Sequence, residues 1–310
     1  MAESVTSAND AAASDGKSMT SPPRPKRPRE LQDSLNFHLY HPLAWRLARL
    51  LARTPLTPNQ VSVIGGCFVV AAGIVYVQTF LHSWGWPGAL LGMLLHMTWH
   101  VVDGADGDLA RLTGRSSPLG ELVDGVCDYA SHIILYLLLG WLLSQQIGWI
   151  AWPIMLAAGV SHFVQANHVE VQRRQYQWWV YRLPWLRNTH KGETRTGSFG
   201  FAEILSGYLS LASGMTPDAL KVDAAVEAAE GDPGALERIV DVVRAETLPL
   251  MPILKVLGPN PRAILLGISM LAGSSLYYFA YQSIVLNGLM IYSVARHNTA
   301  ARRIAAKIAV

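Results

Sequence analysis

The chain has 310 residues, of which 51% are hydrophobic and only 15% charged, with 25 Lys and Arg against 22 Asp and Glu. A soluble domain carries about 25% charged residues, so this deficit points to a lipid environment. The net charge of +3 is too small, and the basic residues too scattered, to suggest a nucleic-acid surface. Cys67 and Cys127 both lie in apolar runs and read as buried free thiols, not as a disulfide framework.

Residues 1–32 are rich in Ser, Ala, Asp, Pro and basic groups and lack the apolar core of a signal peptide. They read as a disordered cytoplasmic tail. Its run Arg24, Lys26, Arg27, Arg29 suits either anionic lipid or plain solvent. The remainder, 33–310, reads as one membrane domain. From His41 to Thr54, Arg46, Arg49 and Arg53 share one helical face while Leu43, Leu47, Leu50 and Leu51 lie towards the other. This pattern predicts an amphipathic helix, either lying in the membrane interface or docked on protein.

A span needs about 20 predominantly apolar residues. The pattern predicts six, over 57–81, 86–110, 118–144, 149–171, 262–280 and 283–297, with the last turn near Gln282 and Ser283. The fold class expected is therefore all-α: a six-helix transmembrane bundle preceded by the interfacial helix. With a cytoplasmic N-terminus the outer loops fall near 82–85, 145–148 and 281–282, and none holds Lys or Arg. All 25 basic residues then lie on the cytoplasmic side, in accord with the positive-inside bias. Trp84, Trp86, Trp149 and Trp152 would form the opposite aromatic belt. Between the fourth and fifth spans, 172–261 reads as a cytoplasmic or interfacial insertion. It includes a moderately apolar piece at 199–213 and two soluble helices over 217–247, broken at Gly231-Asp232-Pro233-Gly234.

The chemistry concentrates in DGADGDLARLTGRSSPLGELVDGVCD, residues 103–128. Asp103, Asp106, Gly107 and Ala110 share one helical face, and Gly120, Asp124 and Asp128 share a face of the next helix. Asp103 sits about 12 Å inside the Arg111 end of its helix. Four carboxylates at such depth each cost roughly 2.5–3.5 kcal/mol at a span centre and also repel one another. Divalent cations answer that cost, and oxygen-only ligands favour Mg²⁺ or Mn²⁺ over Zn²⁺. Two such ions suit a diphosphate and a transferring phosphoryl group. Intramembrane acids also mark ion paths, so a transporter is the rival reading; the apolar outer halves of these spans offer it no continuous route.

Asp103-x2-Asp106-Gly107-x2-Ala110-Arg111-x8-Gly120-x3-Asp124-x3-Asp128 resembles the CDP-alcohol phosphotransferase signature at all eight fixed positions. The resemblance includes Thr57-Pro58-Asn59 and does not clearly cover 1–32 or 188–260. It implies a membrane enzyme of phospholipid synthesis that transfers a substituted phosphate from a CDP-alcohol to an acceptor alcohol and releases CMP. It implies metal ligation by Asp103, Asp106, Asp124 and Asp128, with Asp128 also the proton acceptor. Asn59, Ser62, Gly107, Ala110, Arg111, Ser117 and Gly120 match positions that contact the CDP moiety. Arg111 also suits a membrane anchor, and Asn59 a helix cap. A non-catalytic descendant would have lost an Asp, and all four are present.

Ser116-Ser117-Pro118-Leu119-Gly120-Glu121-Leu122 looks like the choline/ethanolamine branch, while Leu112-Thr113-Gly114-Arg115 looks like inositol-phosphate-transferring members. The acceptor is thus a lipid or a polyol phosphate. Arg115, Arg173, Arg174 and His168 are its candidate pocket, the arginines being equally suited to anchoring. His96, His100, His132, His162, Gln165 and Asn167 add intramembrane polarity that suits either a headgroup pocket or bonds between helices. Homodimerisation follows from the resemblance; the basic-residue asymmetry and the position of the Asp cluster place the site on the cytoplasmic face of the membrane, expected to be a bacterial inner membrane.

Overall fold

A computed structural model describes residues 27–183 and 214–309. The piece at 199–213, Arg24 and Lys26 lie outside the described residues. Within them the secondary structure is helical throughout. Among the described residues two stretches are long and apolar enough to cross a membrane, Pro58–Leu81 and Gly120–Tyr181.

Helix α1, His41–Leu51, follows a π turn at Asn36–Tyr40. It buries Ala44, Trp45 and Ala48 against the protein and leaves Leu43 37% and Leu50 61% exposed. One face is therefore docked, with Leu47 and Leu51 partly packed beside it, while Leu43 and Leu50 stay open. Helix α2, Pro58–Leu81, begins with a capping box: Thr57 Oγ1 accepts from the Gln60 N–H, and Gln60 Oε1 accepts from the Thr57 N–H at 2.9 Å. Thr57 is the cap, which leaves Asn59 available to the neighbouring cleft.

Helix α3, Gly85–Leu112, and helix α4, Pro118–Ile147, form a hairpin. Gly114 makes its turn at φ 64°, a conformation that favours glycine. Ser117 caps α4 by accepting from the Gly120 N–H at 3.0 Å. Helix α2 packs on both α3 and α4. Residues 65 and 66 are glycines there, where side chains would meet Trp99 and Val102 on one helix and Ser131 on the other. The 62-residue apolar stretch breaks at Gly148, φ 72°, where α4 gives way to helix α5, Ala151–Tyr181.

Helices α6, Ala219–Ala228, and α7, Pro233–Thr247, flank the expected break at Gly231–Gly234, and Asp232 caps α7. The bundle has one apolar core among α2, α3 and α4, around Val69, Tyr76, Trp99 and Leu139. Helices α6 and α7 pack with the end of α5, short helix α8 (Met251–Val256) and Ile304 into a second that also takes in Leu31. Residues 27–32 of the expected tail are thus built into the fold, with Leu31 8% and Gln32 5% exposed.

The carboxy-terminal helices depart from the expected boundaries. Helix α9, Pro259–Leu271, ends at a turn over 272–275, with Gly273 at φ 88°. Helix α10 (Leu276–Ala280), a π turn (Tyr281–Val285) and helix α11 (Leu286–Ile308) then follow without a break. There is no turn at Gln282 and Ser283. Gln282 is fully buried and donates to Gln165 Oε1 at 2.5 Å, so its amide N–H is answered by α5 and not by solvent. The corrected turn also lacks Lys and Arg, and Gln146 at the end of α4 donates to the Gly273 carbonyl at 3.0 Å. The α4–α5 and α9–α10 turns therefore lie at the same end of the bundle.

Candidate active site

The hairpin brings one ligand oxygen each of Asp103, Asp106 and Asp124 within 4.8 Å of one another. Asp106, 5% exposed, accepts from Ser62 Oγ at 2.6 Å, which ties the start of α2 to the cluster. Asp128 lies one turn beyond Asp124, outside that trio, and accepts from the Trp99 indole N–H at 3.0 Å. The neighbouring guanidiniums of Arg27 and Arg111 pair with Asp108. The trio offers oxygen donors only, held close together, and so fits a divalent metal.

A cleft opens beside the carboxylates. Its walls include Asn59, Ser62, Asp106, Gly107, Ala110, Arg111, Ser117, Gly120 and Asp124, with Arg115, Ser116 and Glu121 at the same rim. The residues matched to nucleotide contacts thus share one concavity with two of the metal-ligand candidates. A side chain at position 107 would stand 3.5 Å from the Arg111 guanidinium. Glycine there leaves the space beside Arg111 to a ligand.

Of the four acceptor-pocket candidates, only Arg115 lines this cleft. His168 is fully buried elsewhere, with Nε2 2.9 Å from Ser293 Oγ and its ring against His297. Arg174 donates to Glu170 at 2.6 Å, one turn back on α5. Periodicity could place these residues on α5 but could not say which neighbour each faces.

Beneath the carboxylates the histidines gather into a packed aromatic layer. His132 contacts the rings of His96, Trp99 and His162, and its Nδ1 donates to the Asp128 carbonyl at 2.8 Å. His162 bonds Tyr136 Oη at 2.9 Å, which meets Tyr278 Oη at 3.1 Å. Gln165 joins Arg262, Gln282 and Asn287. Much of the polarity noted on α5 is therefore spent on bonds between helices, while the two ring nitrogens of His96 find no partner among the described residues.

Two residues at the site escaped the sequence reading. Trp99 precedes Asp103 by one turn, a spacing that signals proximity but not its bond to Asp128 on α4. Asp108 sits inside the motif but off its carboxylate face, and only the fold reveals its two arginines.

Residues 55–195 match the CDP-alcohol phosphatidyltransferase family. The chain is 30% identical over 100 residues to cholinephosphotransferase 1 of Saccharomyces cerevisiae, covering 30% of this chain and 24% of that protein. It is 35% identical over 91 residues to the bifunctional IPC transferase and DIPP synthase of Thermococcus kodakarensis, covering 29% and 19%. Against a putative cardiolipin synthase of Mycobacterium tuberculosis it is 31% identical over 157 residues, covering 50% and 66%. The chain thus spans about a quarter of the yeast relative's length and about two thirds of the mycobacterial one. The signature and its hairpin lie inside the matched segment, and residues 55–195 carry a CDP-alcohol phosphatidyltransferase family domain.

Proposed function

We propose that this chain is a membrane enzyme of phospholipid synthesis that transfers a substituted phosphate from a CDP-alcohol to an acceptor alcohol and releases CMP. The observation that carries the reading is the carboxylate trio of Asp103, Asp106 and Asp124 beside a cleft walled by the signature residues. The bundle crosses the membrane six times with α1 at the interface, supported by the basic-residue asymmetry and by the shared end of the two turns. The cleft then opens to the cytoplasm, and the working unit is a homodimer.

Asp103, Asp106 and Asp124, with Asp128 adjoining, would hold two Mg²⁺ or Mn²⁺ ions. Bound there, the ions supply charge neutralisation for the diphosphate and for the group in transfer. Ser62 holds the Asp106 carboxylate in place by donating to Oδ2. Arg111 offers donors to the nucleotide phosphates, and Gly107 leaves them room. The acceptor oxygen forms a bond to the outer phosphorus as the bond from that phosphorus to the CMP oxygen breaks. Asp128 takes the acceptor's proton, and Trp99 fixes its carboxylate by donating to Oδ1. The layer of His96, His132 and His162 behind Asp128 limits water on that side.

The test is CMP release in detergent from a panel of CDP-alcohols offered with diacylglycerol, glycerol phosphate or inositol phosphate. Release should require Mg²⁺ or Mn²⁺ and stop in EDTA. Equal turnover in excess chelator would remove the basis for the proposed site.

A further inference from the structure

The signature leaves one acidic residue of α3 without a task. Asp108 follows Asp106 by two positions, about 200° around the helix, so it faces away from the metal-ligand candidates. It is 2% exposed, and a carboxylate so buried is costly unless it is paired and hydrogen-bonded. Two guanidiniums answer it on the same oxygen: Arg27 donates to Oδ1 at 2.7 Å and Arg111 at 2.5 Å. Their circumstances differ. The Arg111 side chain is 49% exposed and lines the cleft, whereas Arg27 is 28% exposed and comes from far away in sequence.

Arg27 reaches Asp108 at the end of a strap that the rest of the fold holds down. Glu30 accepts from Tyr176 Oη at 3.0 Å and from Tyr181 Oη, both at the end of α5. Leu31 is buried in the second core. Gln32 Oε1 meets His41 Nδ1 at 2.8 Å on α1, and Asp33 accepts from Asn260 on α9 at 2.8 Å. The strap thus touches α5, α1 and α9 and delivers one guanidinium to α3. Two positive groups share one carboxylate, and Arg111 is the partner that faces the cleft.

We propose that Asp108 and Arg27 are positioning residues for the nucleotide cleft. Asp108 holds the Arg111 guanidinium beside Gly107. Arg27 takes up the charge of Asp108, so that Arg111 keeps its own for a diphosphate. Without Arg27, Asp108 and Arg111 would close into a neutral pair, and a phosphate would have to compete with the carboxylate. The inference rests on the reading of Arg111 as a nucleotide contact.

The experiment uses the full chain in detergent, with Arg27→Ala, Arg27→Lys and Asp108→Asn. CMP-release kinetics at saturating acceptor should show the KM for CDP-alcohol rising about tenfold in Arg27→Ala, the scale of one hydrogen bond to a charged group, with kcat within about twofold. Arg27→Lys keeps the charge and should return KM to within about threefold of the unaltered chain. A KM unchanged in Arg27→Ala would overturn the proposal. So would a loss of kcat and thermal stability at constant KM, the signature of a strap that only supports the fold. A second readout needs no substrate: arginine modification by phenylglyoxal, followed at Arg111 by mass spectrometry. Asp108→Asn should speed modification of Arg111 at least about threefold, as befits a lost charge-assisted bond. An unchanged rate overturns the positioning role whether or not the chain turns over CDP-alcohols. Absence of CMP release by the unaltered chain would instead sink the enzymatic reading.

Discussion

Substituting Gly107 by alanine separates the fold from the cleft. In a helix interior alanine is favoured over glycine by about 1 kcal/mol, so the backbone of α3 should gain from the change. Packing does not oppose it: the three atoms nearest a Cβ at 107 would belong to the Arg111 guanidinium, at 3.5, 3.7 and 3.9 Å, ordinary van der Waals contact. Whatever the methyl costs must then fall on a ligand in the cleft. Forcing one extra carbon into a fitted site costs about 1–3 kcal/mol, which is a five- to 150-fold loss of affinity. The expected result is a thermal midpoint no lower than that of the unaltered chain, together with CMP affinity at least about tenfold weaker, measured by calorimetric titration with Mg²⁺ present. Gly92→Ala is the converse control, since its Cβ would stand 2.4 Å from the ring of fully buried Tyr76 and should lower the midpoint. If Gly107→Ala bound CMP as tightly as the unaltered chain, the cleft wall at 107 would not approach the nucleotide.

Two more expectations concern single carboxylates. Asp128→Asn keeps the size of the group and an acceptor for Trp99 but loses its basicity; turnover should fall at least about a hundredfold while CMP binding persists. Turnover near the original rate would move the proton acceptor elsewhere. Burial alone would raise the Glu30 carboxyl, yet the hydroxyls of Tyr181 and Tyr176, with Arg244 nearby, hold it below the ordinary glutamate value. A lowered folded-state value means that Glu30 contributes fully above the usual glutamate range, and that this contribution is lost as pH falls through the lowered value. Hydrogen exchange over 29–36 should therefore accelerate in acid beyond its intrinsic change, and Glu30→Gln should abolish that excess; an equal excess in the variant would exclude Glu30 as its source.

The sequence by itself determined the helices and the motif, because both are local. Alternating carboxylates and small residues at three- and four-residue spacing allow one geometry on a helix, so Asp103, Asp106 and Asp124 had to converge once Gly114 turned the chain. Capping was nearly legible as well, although Thr57 and not Asn59 does it. What hydropathy misplaced was the last turn. It registers the polarity of Gln282 and Ser283 but not their surroundings, and inside the bundle Gln165 accepts from the Gln282 amide within an unbroken helical run. The tertiary structure alone decided which side chains answer one another across long separations. His168 meets Ser293 instead of the cleft, Trp99 reaches Asp128, and Arg27 closes on Asp108 from 81 residues away. Such pairings are set by how helices pack, and helix packing depends on shape around the whole bundle, which no local spacing along α3 or α5 encodes.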